Sequence, residues 1–204
     1  LVRNRIAHIL ADRTVNPAFN PNANGPISAL ALSATTLYVG GSFNSIGDED
    51  RNRIAALDRT TGVATAWNPD ANSSVNALVI FNGRVYAGGD FTTIGQKTRN
   101  RVAAIDIDTG VANTFNPDAN GTVSALAVSG STLFAGGSFT NIGERNRSRI
   151  AALDAETGFA TPWNPNATSG GTPVVNALAI TGNLVYAGGS FNACLLYTSP
   201  SPRD

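Results

Sequence analysis

Arg101-Val102-Ala103-Ala104-Ile105-Asp106-Ile107-Asp108-Thr109-Gly110 is a short apolar run closed by turn residues, and it does not stand alone. The Arg-apolar-Ala opening recurs as Arg5-Ile6-Ala7, Arg53-Ile54-Ala55 and Arg149-Ile150-Ala151, a constant step of 48 residues. Phe19-Asn20-Pro21, Trp67-Asn68-Pro69, Phe115-Asn116-Pro117 and Trp163-Asn164-Pro165 keep that step. Gly-Gly-x-Phe begins at Gly40, Gly88, Gly136 and Gly188, the last interval lengthened to 52 by an insertion at Ser169–Thr172. Residues 51–95 and 99–143 share 25 identities in 45 positions. A fixed period of this length signals stacked supersecondary units, none of which can bury its apolar face alone.

Within a unit the punctuation predicts four strands. Val75–Ile80 ends at Asn82-Gly83, a two-residue hairpin signal. Arg84–Gly88 follows, then a polar loop from Asp90 to Asn100. Arg101–Asp106 turns through Asp108-Thr109-Gly110 into Val111–Phe115, and Asn116-Pro117-Asp118 breaks the chain. Continuous apolar runs such as Ala125-Leu126-Ala127-Val128 suit sheets covered on both faces. The expected fold is therefore all-β, a β-propeller of four-stranded antiparallel blades. About four blades are expected from residues 1–193, in units of about 1–26, 27–74, 75–122, 123–174 and 175–193, as part of a larger ring. The outer units are incomplete, and the first lacks the Thr-Gly turn between Ala11 and Val15. Residues 194–204 match nothing upstream and read as a non-native tail.

The pattern resembles kelch-type propellers, and more closely the delta-60 repeat propellers of bacterial proteins. Tyr86-Ala87-Gly88-Gly89-Asp90-Phe91, Ile94-Gly95, Arg99-Asn100-Arg101-Val102-Ala103-Ala104 and Thr109-Gly110 carry the likeness, which spans residues 3–193. It implies an uncharacterised extracellular repeat module. The run Leu57 to Trp67, repeated from Leu153 to Trp163, also resembles the tryptophan-docking repeat of quinoprotein dehydrogenases, which implies a quinone-dependent enzyme as one alternative; a purely structural spacer is the other.

Composition narrows the function classes. Fourteen basic and fourteen acidic residues cancel, so no basic face is expected to draw nucleic acid. No apolar stretch reaches the length of a membrane span. Low charge with abundant Gly, Asn, Ser and Thr suggests a secreted or cell-surface protein. Cys194 is the single cysteine and forms no internal disulfide.

The residues that could carry chemistry mostly have plainer readings. His8 is the sole histidine, and Ala56, Ala104 and Ala152 occupy its place in the other units, so a drifted strand residue is favoured over a general base. Asp106-x-Asp108-x-Gly110 faintly suggests a calcium loop, but an Asp-capped turn explains it with fewer ligands. The periodic Phe19, Trp67, Phe115 and Trp163 read as packing between blades rather than a sugar platform. Arg5, Arg53, Arg101 and Arg149 are expected to pair with carboxylates or cap carbonyls between blades. No cofactor or metal is expected.

Most of the variation between copies lies in the longer connections, 44–52, 92–100 and 140–148 together with 68–74, 116–122 and 164–174. In a meander these share one face of the disc, opposite the short turns. Asp48, Glu49 and Asp50, Asp70, Gln96 and Lys97, Asp118, and Glu144 and Arg145 are therefore the candidate recognition residues. Freely drifting solvated loops would look the same. The expected partner is a protein or a glycan, and four Asn-x-Ser/Thr sequons (Asn72, Asn120, Asn146, Asn166) would count only in a eukaryotic secretory host.

Overall fold

The computed structural model describes residues 2–168 and 171–194. The reading of residues 195–204 as a tail lies outside them. The described chain contains strands and turns and no helix.

Each repeat folds as an antiparallel meander. In the first full unit β1 (Ile27–Leu32) pairs with β2 (Thr36–Gly41), a small hairpin of β3 (Ser45–Ile46) and β4 (Glu49–Asp50) follows, and β5 (Ile54–Asp58) pairs with the far side of β2. The second unit repeats this with β6 (Val75–Phe81), β7 (Arg84–Gly89), β8 (Thr93–Ile94), β9 (Lys97–Thr98) and β10 (Val102–Asp106). The third uses β11 (Val123–Ser129), β12 (Thr132–Gly137), β13 (Asn141–Ile142), β14 (Arg145–Asn146) and β15 (Ile150–Asp154). After β16 (Ala167–Thr168), the last unit contributes β17 (Val175–Thr181), β18 (Leu184–Gly189) and β19 (Ala193–Cys194), with β17 on β18 and β16 on β19.

Two expectations are refined. The fourth strand of each blade shrinks to single-residue bridges, Leu57 to Ala64, Ile105 to Ala112 and Leu153 to Ala160. The Asn-Pro that ends each unit pulls the chain off the sheet edge within a few residues, so no longer ladder forms. The connection from second to third strand is no open loop but the two-residue hairpin at Gly47-Asp48, Gly95-Gln96 and Gly143-Glu144. The first unit also closes its hairpin without Thr-Gly. Arg13 takes the left-handed conformation, Leu10 N–H donates to the Thr14 carbonyl at 2.9 Å, and Ile9 bridges Val15.

Successive sheets stack face to face, with the first strands β1, β6, β11 and β17 side by side. The core lies between sheets rather than within one. Tyr38, Ile54, Ala56 and Trp67 of the first sheet meet Val75, Val85, Ala87 and Ile105 of the second. Tyr86, Val102, Ala104 and Phe115 meet Val123, Leu133, Ala135 and Leu153 in the same way. The small residues make this approach possible. A Cβ on Gly88 would sit 2.7 Å from Val123 Cγ1, while one on Gly89 would sit 2.1 Å from the Ser74 carbonyl oxygen. Gly40, Gly88 and Gly136 thus admit the next sheet, and the second glycine of each pair admits the entry to its own first strand.

Each aromatic of the fourth segment is met edge-on by an aromatic of the second strand: Tyr38 with Trp67 at 5.1 Å, Tyr86 with Phe115 at 5.3 Å, Phe134 with Trp163 at 5.3 Å. Phe19, Trp67 and Phe115 are buried between sheets. Two of these contacts reach the following sheet by hydrogen bond, Trp67 Nε1 to the Asp106 carbonyl at 3.0 Å and the Tyr86 hydroxyl to the Ala155 carbonyl at 2.8 Å.

Candidate functional site

The small hairpins and the links between blades come together on one face. Gly47, Gly95 and Gly143 each donate a backbone N–H to the carbonyl of the preceding link's proline, Pro21, Pro69 and Pro117, at 2.6 Å. Their own carbonyls accept from Ala64, Ala112 and Ala160 at 2.9–3.0 Å. Each hairpin is thereby pinned between link and fourth segment. The short turns gather on the opposite face, where Ile107 N–H reaches the Gly83 carbonyl at 3.1 Å and Ala155 N–H the Ser131 carbonyl at 2.9 Å.

An asparagine that sequence reading passed over fixes the hairpin's entry. Asn72 accepts the N–H groups of Thr92 and Thr93 at 2.8 and 3.0 Å and donates to the Thr92 hydroxyl at 2.8 Å. Asn120 does the same with Thr140 and Asn141, and Asn24 with Asn44 and Ser45. Each closes an Asn-Pro-x-Ala-Asn link, a signal visible in the sequence as 20–24, 68–72 and 116–120. The side chains of Asn72 and Asn120, two of the sequon asparagines, use both the amide oxygen and the amide nitrogen in these clamps.

The nine candidate residues divide into two groups. Asp70 and Asp118 follow the link prolines in the left-handed conformation and accept from Asn52 Nδ2 at 2.7 Å and Asn100 Nδ2 at 2.6 Å, so they act as latches. Asp48, Glu49, Asp50, Gln96, Lys97, Glu144 and Arg145 are exposed at the hairpin tips. Among the described residues only Glu49 of these has an ion-pair partner, Arg51 at 3.7 Å. Asp48, Gln96 and Glu144 hold φ of 65°, 63° and 62°, and glycine precedes each at positive φ. Two positive-φ residues in succession give the mirror-image turn that matches strand twist, where glycine is ordinarily preferred at the second place as well. The tips carry different charge: acidic in the first full unit, basic in the second, mixed in the third.

Two arginines per unit brace this face. Arg53 and Arg101 sit at φ 62° and 64° in a tight turn entering the third strand, and their guanidinium groups donate to the Ala71 and Ala119 carbonyls at 3.1 and 3.0 Å. Arg5 meets Ala23 likewise, and Arg149 the Pro173 carbonyl through Nε. Of the two expected roles, these arginines take carbonyl capping. Arg51, Arg99 and Arg147 reach the carbonyls of Thr65, Asn113 and Thr161 and leave a buried Nε–H unpaired. Burial pushes the pKa of Arg99 and Arg147 down.

The other chemical candidates resolve into structure. Asp106 Oδ1 accepts from the Thr109 N–H and hydroxyl at 2.8 Å and from the Asp108 N–H at 3.2 Å. Asp58 and Asp154 hold Thr61 and Thr157 identically, and these bonds keep all three carboxyls below the usual aspartate range. Among the described residues no group of three or more His, Cys, Asp or Glu is placed to hold a metal. His8 is exposed, lies edge-on to Phe19 at 5.8 Å, and has Asn16 Nδ2 3.2 Å from its Nδ1. Its ring meets Phe19 edge-on as Tyr38, Tyr86 and Phe134 meet the corresponding aromatics, although alanine stands at its repeat position in the other units.

Residues 82–103 match a family described as a domain of unknown function (DUF5122) beta-propeller. No curated protein matches the chain. Among solved structures, the computationally designed Ika4 protein superposes with a TM-score of 0.56 and 23% identity over 81% of this chain and 86% of that one. The designed Ika8 protein gives 0.56 and 22%, and BamB from Moraxella catarrhalis 0.54 and 20%, over 83% and 86% of this chain. The chain spans about half the length of these two, 44% and 47%. The chain is a β-propeller of repeated blades.

Proposed function

We propose that the chain is a non-catalytic propeller module of the delta-60-like kind, displayed outside the cell, that recognises a protein partner through its hairpin face. The supporting observation is the set of exposed side chains at Asp48, Gln96 and Glu144, held at positive φ where glycine would relieve the backbone by about 1 kcal/mol. Among the described residues none of the three side chains has a hydrogen-bond partner. Residues kept against local strain, on tips clamped by the Asn72-type links, fit a display role. The mosaic of acidic, basic and mixed tips suits a folded protein surface better than a uniform polyanion.

The test is a pull-down with the intact chain, followed by exchange of the tips at 48–50 and 96–98 between blades. Loss of binding by about tenfold or more, with the melting temperature unchanged, supports the proposal. Undiminished binding refutes it. Binding to a glycan array instead of any protein would replace the protein partner, and turnover abolished by His8→Ala would replace the non-catalytic reading.

A further inference from the structure

On the short-turn face, the turn that follows the third strand of one blade meets the start of the second strand of the blade before it. Between the second and third full blades an ion pair fills this meeting. Arg84, the first residue of β7, donates from both terminal nitrogens to the Glu156 carboxylate at 2.6 and 2.8 Å. These bonds hold the Glu156 carboxyl below the usual glutamate range. The same guanidinium lies beside the hydroxyl of Tyr86, which donates onward to the Ala155 carbonyl at 2.8 Å.

Between the first and second full blades the same meeting is built from different side chains. Thr36 opens β2 opposite Asp58, as Arg84 opens β7 opposite Asp106. Asp108 stands where Glu156 stands, two residues past the aspartate that caps the turn. A threonine is too short to reach it, and among the described residues the Asp108 carboxylate has no ion-pair partner. The result is a groove of about 320 Å³ lined by Thr36, Tyr38, Thr65, Trp67, Ile107 and Asp108. Its walls belong to two blades whose strands are all described, so the groove is set by residues 36–108 and by neither end of the chain. Tyr38 and Trp67 meet edge-on at 5.1 Å and are buried at its floor. Burial pushes the Tyr38 phenol up and the Asp108 charge adds to it, so the carboxylate acts on the ring.

We propose that this groove binds a guanidinium group supplied from outside the chain, in the place that Arg84 takes at the next blade pair. The chain itself shows the mode of binding, since Arg84 grips Glu156 with two parallel N–H bonds and lies beside a tyrosine hydroxyl. A planar cation repeats this on Asp108 and Tyr38, two-pronged on the carboxylate and against an aromatic wall. An ammonium is a point charge without the fork and is the poorer fit. A free guanidine compound and the arginine side chain of a polypeptide both carry the group. The site lies opposite the hairpin tips and is independent of the recognition proposed for them.

The experiment titrates the full chain with agmatine and, separately, with the peptide acetyl-Gly-Arg-Gly-amide. Binding is followed by nuclear magnetic resonance at the Trp67 indole N–H, whose signal a Trp163→Phe variant identifies. Saturable shifts with a dissociation constant of about 1 mM or tighter are expected. Asp108→Asn, at an exposed turn, should weaken binding about tenfold. Thr36→Arg should abolish it by supplying the guanidinium from within the chain, and both variants should keep the parent circular dichroism. Tighter binding of the peptide assigns the group to a polypeptide arginine, and tighter binding of agmatine to a free guanidine compound. No saturable shift with either ligand overturns the proposal. So does an equal response to the peptide with citrulline in place of arginine, or binding that Asp108→Asn or Thr36→Arg leaves unchanged.

Discussion

Gly88 and Gly188 sit in the same local sequence, Tyr-Ala-Gly-Gly, yet Ala at the two positions should behave oppositely. At Gly88 the new methyl would stand 2.7 Å from Val123 Cγ1 and 3.3 Å from Leu126 Cγ, both on the following sheet. The first distance is a clash, and Val123 is fully buried with little freedom to turn away. Overpacking of this kind costs about 1–3 kcal/mol. The smaller entropy of an unfolded alanine chain returns about 0.5–1 kcal/mol. The net loss for Gly88→Ala centres on about 1 kcal/mol within a span of about 0–2.5, and each kcal/mol lowers the melting temperature of a chain of this size by roughly 2–4 °C. At Gly188 the only atom of the described residues near the methyl is Ala177 Cβ at 4.0 Å, so Gly188→Ala should be neutral or slightly stabilising. Adding Val123→Ala to Gly88→Ala should recover part of the loss, giving a double variant less destabilised than the sum of the singles. Thermal unfolding followed by far-ultraviolet circular dichroism decides the matter. Equal destabilisation at both glycines, or strict additivity with Val123→Ala, would refute packing between sheets as the reason for the glycine pair.

Phe115→Ala should cost about 3–5 kcal/mol, because a fully buried ring between two sheets is removed, and urea denaturation measures it. Tyr86→Phe removes only the hydroxyl bond to the Ala155 carbonyl and should cost about 1 kcal/mol by the same assay. Gln96→Gly should raise the melting temperature, since φ of 63° favours glycine, while leaving the fold unchanged by circular dichroism. The carboxyls of Asp58, Asp106 and Asp154 are lowered by their hydrogen bonds in the folded chain, so their stabilisation is complete above the unfolded value of about 4 and drains away as pH falls through the lowered folded values. Melts between about pH 2 and 6 should show that acid limb, and Asp106→Asn should flatten it.

Much of the fold was legible because the repeat isolates what every copy needs. The 48-residue step, the strand order and the segregation of short and long connections could all be taken from Arg-apolar-Ala, Gly-Gly and Asn-Pro. Other features were hidden for local physical reasons. The hairpins at Gly95-Gln96 reverse the usual Asn-Gly order and put a long side chain at positive φ, so they resembled open loops. The first unit's turn relies on Arg13 in a conformation that arginine seldom adopts. The fourth strand read as a full member because Val111–Phe115 follows a tight turn and ends in an aromatic, but its backbone leaves the ladder after one bridge. Of the nine site candidates, the sequence located the exposed tips but could not separate them from Asp70 and Asp118. That distinction depends on Asn52 and Asn100, which lie 18 residues away in the chain and contact them only once folded.

The packing of one copy upon the next can be observed directly by nuclear Overhauser contacts in a sample labelled at valine methyls and glycine α positions. Cross-peaks should join Gly40 to Val75, Gly88 to Val123 and Gly136 to Val175, whose methyls approach the prospective Cβ positions to 2.6–2.7 Å. If those glycines show contacts only within their own sheets, the copies do not share a core and the account fails.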